Sequence, residues 1–416
     1  MSLENRINNY LNQYPQIKIV IKKVYQLFRY SISKKIKCQG NIVKVSPNDN
    51  YEYFFGYYDK SPWDITNRYM LCLRAKKTYK EVAPSEPVDI IMIDTLQHNK
   101  VIELSTSRSW NVQQGCMLQW LGPKFDSKII FNDFRNGNYC SVIMDVFTRK
   151  EKIIDYPIYS VSNDGSFALT LDFSRLHTLR PGYGYSNLPD LTKNEKMPNG
   201  TCIWKIDLLN NKIYSLLKYT DFLNFETRKE MINAIHKVNH IMISPNNTRF
   251  MVLHRWYQGK RKYSRLVTCN CDGTDMYNLS DDDMVSHCFW KNDEEIIAFE
   301  NKNGDGPGYY LMIDKTSNYK HLWKNIDNDG HPSYSPNLQN IVIDSYPDSK
   351  RIQTLKCMRE DGHEKTLIKV FSPFKYDNDL RCDLHPRWDR KGEKICFDSV
   401  FEGKRGLYYV ERYRKE

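Results

Sequence analysis

The chain has no run of about 18 apolar residues, the length a membrane-crossing helix needs, so a helical membrane span is excluded. Residues 1–20 lack a continuous apolar core and a small-residue cleavage site, and no secretory signal is expected. Zinc-finger spacing is missing as well. Of the 11 cysteines, only Cys269 with Cys271 and Cys382 with Cys396 lie close together, and neither spacing fits a finger. An odd number cannot all pair within one chain, so reduced core thiols of a cytoplasmic protein are expected. There is no GxSxG elbow, no P-loop and no GxGxxG, which leaves serine-peptidase and nucleotide chemistry without support. The turn Ser162-Asn163-Asp164-Gly165-Ser166-Phe167 does not fit a sialidase Asp-box. Alanine is scarce while Tyr (29) and Phe (18) are abundant, a balance that favours strands over helices.

Charge is plentiful. The 61 Lys+Arg exceed the 50 Asp+Glu, for a net charge of +11. The basic residues are dispersed and no RNA-binding module is present, so nucleic acid is not an expected partner. The exception is residues 1–39, where Arg6, Lys18, Lys22, Lys23, Arg29, Lys34, Lys35 and Lys37 are opposed only by Glu4. Ile7, Tyr10, Leu11, Tyr14, Ile17, Val20, Val24, Leu27 and Phe28 recur there at near-helical spacing, with Pro15 as an expected interruption. A basic amphipathic helix suits peripheral contact with an anionic membrane, and equally a helix packed across the main domain. The expected domains are this extension, 1–39, and a second unit, 40–416.

From residue 40 the chain repeats itself. NHIMISPNNTRFMVLH, SHCFWKNDEEIIAFE, GHPSYSPNLQNIVIDS and LHPRWDRKGEKICFDS align on His240, His287, His331 and His385, at spacings of 47, 44 and 54 residues. Three residues after each His stands Ile243, Trp290, Tyr334 or Trp388; a polar turn and an apolar strand follow. Strand–turn–strand units with a period in the forties mark propeller blades. Copies without the His occupy 56–74, 116–132 and 158–171, and outer strand pairs occupy 89–104, 140–154 and 201–217. Three and four make a seven-bladed β-propeller, all-β, with a short N-terminal helical extension. The last blade lacks an outer strand, which 41–46 would supply, closing the ring. Two inserts interrupt the rhythm: 173–200 inside blade three, and 218–239, of helical spacing, between blades three and four.

Inner strands line the axis of a propeller, so four imidazoles at one strand position are expected to converge as a divalent-metal site or to cap their own blades. Asp329 and Asp383 each precede one of these histidines by two residues and could orient the rings. The insert Asp172-Phe-Ser-Arg-Leu-His-Thr-Leu-Arg-Pro-Gly-Tyr-Gly-Tyr185 crowds Arg175, His177, Arg180, Tyr183 and Tyr185 together, more titratable groups than a structural loop needs. His254, Arg255, Trp256 and Tyr257 end the equivalent strand of blade four, where Trp and Tyr could stack on a sugar or form an aromatic lid. Strand geometry places all these residues on one rim.

GCMLQW, RPGYGY, GHPSYSP and LHPRW, within strand–turn–strand units led by His, resemble the seven-bladed propeller polysaccharide lyases, the oligogalacturonate lyases and their ulvan lyase relatives. The likeness is of pattern and spans 40–411. It implies cleavage of an acidic, uronate-containing glycan by β-elimination, with a channel-facing histidine cluster holding a divalent metal (Mn, Zn or Ca). His287, His331 and His385 match the metal-type positions, with His240 as a fourth. Oligogalacturonate lyases add a Gln and closely spaced His, whereas these histidines come one per blade. Arg175 or Arg180 would neutralise the uronate carboxylate, Tyr183 or Tyr185 serve as acid or base, and His240 or His254 act as partner base. His177, Arg255, Trp256 and Tyr257 would bind substrate. The expected partner is an acidic poly- or oligosaccharide, in the cytoplasm or at the inner face of the membrane, in capsule or exopolysaccharide metabolism. The competing expectation is a non-catalytic glycan-binding or scaffold propeller.

Overall fold

Apolar residues alternate with polar ones in short segments bounded by Asn, Asp, Gly and Pro, and each group of such segments closes into an antiparallel four-stranded sheet. A computed structural model describes residues 15–32 and 36–412, the side chains of 15–19 and 22 excepted. It holds seven such sheets around one axis, spanning 52–107, 119–154, 160–218, 235–280, 284–322, 333–371 and 387–411. The protein is a seven-bladed β-propeller. Val43–Lys44 pairs with Tyr408 and Tyr409 as the outer strand of blade seven, so the start of the propeller closes its end. Cys38–Gln39 adds a fifth strand to blade six, opposite Lys369 and Val370.

In blades five and seven the Trp three positions after the His has a structural purpose. Trp290 Nε1 donates to Met242 O of blade four at 2.9 Å, and Trp388 Nε1 to Ser333 O of blade six at 3.1 Å. Trp120 Nε1 reaches Pro62 O of blade one at 2.8 Å in the same way. Each indole fills the space between two sheets and ties a blade to its predecessor. The bond is worth about 1 kcal/mol net, and burial of the ring more.

The segment 218–239 keeps only part of its expected helical character. The helix Tyr219–Asn224 and a single 3₁₀ turn, Lys229–Met231, give way at Ile235 to the first strand of blade four. Pro15 stands first in the N-terminal helix (Pro15–Ile32), where its missing N–H costs nothing. Ile7, Tyr10, Leu11 and Tyr14 lie outside the described residues.

Candidate active site in the propeller channel

Three departures from regular strand geometry build the channel. In blade one, Phe54 pairs with Leu73 and Trp63 bridges Met70, so residues 55–62 of the inner strand face only Leu71 and Cys72. That surplus loops into the axis, carrying Tyr57 and Tyr58. In blades four and five the ladder slips between Asn239 and Met242 and between Val285 and Cys288, at the positions of His240 and His287. His240 takes φ +56° and His385 φ +44°, a left-handed backbone that turns each ring out of its strand's alternation.

The four histidines do converge. Ring centroids lie 5.7 Å apart for His240 and His287, 4.1 Å for His287 and His331, and 4.4 Å for His331 and His385. Tyr57 packs against His240 at 5.2 Å and His385 at 5.0 Å; Tyr58 packs against His331 at 5.1 Å. All four histidines are buried.

On the side of blades five to seven, carboxylates organise the rings. Asp329 Oδ1 meets His287 Nδ1 at 2.9 Å, so it orients the histidine of the preceding blade and not its near neighbour in sequence. Asp344, at the end of a strand of blade six, accepts from His331 Nδ1 (2.9 Å), His331 N (2.7 Å) and His385 N (3.1 Å). Asp383 is held by Arg381. Burial lowers the pKa of His331, but Asp344 outweighs it and lifts the ring above its ordinary value. His331, Asp383 and His385 each offer a donor atom, all within 4.8 Å of one another. The buried Nε2 atoms of His331 and His385 have no hydrogen-bond partner, and the Nδ1 of His331 is fixed by a carboxylate, as metal-binding imidazoles usually are. Two nitrogens and one oxygen fit a divalent transition metal. A cavity of about 360 Å³, lined in part by Asp329, Asp344 and Tyr346, adjoins this cluster.

The opposite side, from blades three and four, is cationic. In the hairpin 249–270, register sorts the residues onto two faces. Lys237 lies opposite Arg255, and Tyr257 opposite Lys262, so all four share the channel face. Arg180 of the insert stacks on Tyr183 at 4.0 Å, and Tyr183 meets Tyr57 edge-on at 6.3 Å. None of Arg180, Lys237, Arg255 and Lys262 has an ion pair among the described residues. Lys237 Nζ has only Tyr257 Oη, at 3.1 Å, and Arg255 Nε is buried without a partner. Burial and the repulsion of Arg255 and Arg180 push Lys237 well below its usual pKa; Arg255, then burial, brings Lys262 down to about 8. Tyr57 Oη makes a short hydrogen bond to His240 Nε2, and His240 Nδ1 meets the Asn239 amide. Burial, then Arg255, holds His240 neutral and far below its ordinary pKa, while burial pushes the Tyr57 phenol up.

Other candidates lie elsewhere. Arg175, on the helix Phe173–Leu179, donates to the carbonyls of Thr192, Glu195 and His236 at 2.9–3.0 Å and so fastens the insert to blade four. Tyr185 stacks on Phe173 at 4.4 Å and its hydroxyl accepts from Asn132 at 2.9 Å. His177 points outward, 3.8 Å from Glu81. His254 and Trp256 occupy the reverse face of the hairpin. There Arg265 Nε donates to His254 Nδ1 at 3.2 Å, His254 Nε2 to His236 Nδ1 at 2.9 Å, and His236 Nε2 to Met231 O at 2.9 Å. Trp256 lies parallel to Tyr263, centroids 5.6 Å apart. Gly182 and Gly184 take φ +89° and +68°, and a Cβ on either would strike a carbonyl oxygen, so the insert's turn depends on both.

Sequence reasoning overlooked Tyr57, Lys237, Lys262, Asp344 and Arg381. Two signals were available. Strand alternation allows only every second residue of 254–257 into the channel, and GYYD in blade one sits in a segment too long for its partner strand.

No protein-family model and no curated protein matches the chain. Among solved structures it is similar to an oligogalacturonate lyase from Vibrio parahaemolyticus, with a TM-score of 0.64 and 12% identity over 90% of this chain and 94% of that one. It is also similar to an oligogalacturonate lyase in complex with manganese, with a TM-score of 0.65 and 14% identity over 91% of this chain and 97% of that one. It shares their fold. At such identity the likeness speaks for the architecture and not for the activity.

Proposed function

We propose that the protein cleaves an acidic oligosaccharide by β-elimination at the channel mouth. The observation that carries this reading is the group of four cations, Arg180, Lys237, Arg255 and Lys262, which form no ion pair among the described residues and lie beside the Tyr57–His240 pair. Unneutralised charge destabilises a fold, and an anionic ligand relieves it. A uronate carboxylate meets that need. Held by Arg180 and Arg255, it loses the charge that makes its C5 proton reluctant to leave. Tyr57 takes that proton while passing its own to His240 Nε2; the C4–O bond breaks as C4=C5 forms, and Tyr183 protonates the departing oxygen. His240 is neutral and so can accept, but burial and Arg255 make it a weak base, a disadvantage that a substrate carboxylate beside Arg255 would offset.

A divalent metal would be held by His331, His385 and Asp383, and when bound would supply a fixed positive charge to a substrate oxygen. The likeness to a manganese-bound lyase supports a metal of that kind. Eleven free cysteines, all but Cys38 buried, support a reducing, cytoplasmic setting.

One observation favours the alternative, a glycan-binding propeller. Tyr57, Tyr183 and His240 are only 4–5% exposed, so the reacting groups lie beneath the mouth. The test is absorbance at the unsaturated-uronate band with a panel of acidic oligosaccharides, run beside calorimetric binding. Product from one of them, lost in Tyr57→Phe, supports the lyase reading; binding without product gives the alternative. Neither binding nor product would overturn both.

A further inference from the structure

The N-terminal helix Pro15–Ile32, here α1, is attached to blade six near its C-terminal end. Tyr30 stacks on Phe371 with centroids 5.0 Å apart and meets Phe374 edge-on at 5.6 Å. Gln26, one turn earlier, is buried, and beyond the helix Phe371 N donates to Lys37 O at 3.0 Å. With about 100° of rotation per residue, Gln26 and Tyr30 mark the side of α1 that faces the propeller.

Apolar residues lie on the other side. Val20, Val24, Phe28 and Ile32 follow one another at intervals of four, with Ile21 and Leu27 alongside, and these six are 44–62% exposed. A helix that merely packs across a domain buries its apolar stripe and turns its polar side to water. This one does the reverse. Elsewhere the exposed large apolar residues, such as Leu96, Phe147 and Leu191, are scattered, whereas here they form one stripe. The segment 18–37 also carries Lys18, Lys22, Lys23, Arg29, Lys34, Lys35 and Lys37 and no acidic residue. Lys18, Lys22 and Arg29 recur at helical spacing in the sequence.

We propose that α1 is an interfacial anchor that lays Val20, Val24, Phe28 and Ile32 into the surface of an anionic phospholipid bilayer, with its lysines and Arg29 at the lipid phosphates. The pairing of an apolar stripe with a basic segment that contains no acid selects lipid over a second copy of the chain, because two copies joined through the stripe would bring like charges together. The attachment also orients the molecule. The outer strand of blade six ends at Phe371, and the chain beyond it reaches the insert, where Asp379 O closely covers Gly182. α1 therefore joins the rim that carries the channel mouth, and docking would hold the mouth near the bilayer. This inference is independent of the proposed reaction.

The test is co-sedimentation of the full-length protein with phosphatidylcholine vesicles, with and without phosphatidylglycerol, at low and high salt. Binding is expected with the anionic vesicles alone, weakened by salt. The double variant Val24→Asp, Phe28→Asp should lower it by about tenfold or more with an unchanged melting temperature, since both side chains face solvent. Lys22→Glu with Lys23→Glu should abolish the preference for anionic lipid. Equal binding to both vesicle types, no binding to either, or indifference to the aspartates would overturn the proposal. So would a concentration-dependent dimer that Phe28→Asp dissolves, which would make a second copy the occupant.

Discussion

The two walls of the channel are built from the same repeat and are electrostatic opposites. On the side of blades five to seven, each imidazole is matched to a carboxylate or lies beside one. On the side of blades three and four, Arg180, Lys237, Arg255 and Lys262 crowd together and form no ion pair among the described residues. Tyr57 and Tyr58 stand between them. One wall carries its own acids, and the other carries cations that no described carboxylate pairs. Substitutions should therefore have opposite consequences on the two sides.

The largest effect is expected on the wall that carries the acids. Asp344→Ala removes the acceptor of three donors in a buried site and should cost about 3–5 kcal/mol, seen as a large fall in the denaturation midpoint. Arg255→Ala tests the other wall. It should reduce turnover of an acidic oligosaccharide by about 100-fold, yet leave the melting temperature unchanged or higher, because a mutually repelling charge is gone. A large loss of stability in Arg255→Ala would erase the distinction between the walls.

Metal content sharpens the contrast. His331→Ala or His385→Ala should weaken manganese or zinc binding by at least about tenfold, measured by equilibrium dialysis, while Arg180→Ala leaves it in place. Equal metal content in all three variants would reduce the histidines to blade caps.

Two pH effects complete the series. On the reverse face of the cationic hairpin, burial lowers the pKa of His236 and of His254. The unfolded chain then binds protons more readily than the folded one. Stability should thus be fullest above about pH 6.5 and decline as the pH falls below it. His254→Gln should flatten that decline in a series of thermal melts. The smallest effect concerns Lys262, whose pKa lies at about 8. Affinity for an acidic oligosaccharide should weaken as the pH rises through that value, and Lys262→Met should remove the dependence.

Much of the architecture was legible in the residues alone. The His-led repeat counted the blades, and the missing outer strand of the last one pointed to 41–46, which pairs there through Val43–Lys44. That succeeded because a blade is a local unit whose hydrophobic alternation and turns are written within some forty-five residues, roughly the repeat length of propellers. The convergence of the four histidines followed from the same periodicity. Their partners did not: Asp344 serves histidines of two blades, and Asp329 serves the blade before its own.

The insert and the blade-four hairpin show where sequence reading stops. Arg175 and Arg180, or Tyr183 and Tyr185, are equivalent by composition, and only packing separates the buried fasteners from the residues at the channel. For His254 and Arg255, adjacency in sequence means opposite faces of a strand, and register decides which face meets the axis. The sequence by itself determined the blades, their number and their closure, because those depend on local alternation. Only the tertiary structure decided the site, because seven separately folded sheets place their side chains at one point through distances that no stretch of chain encodes.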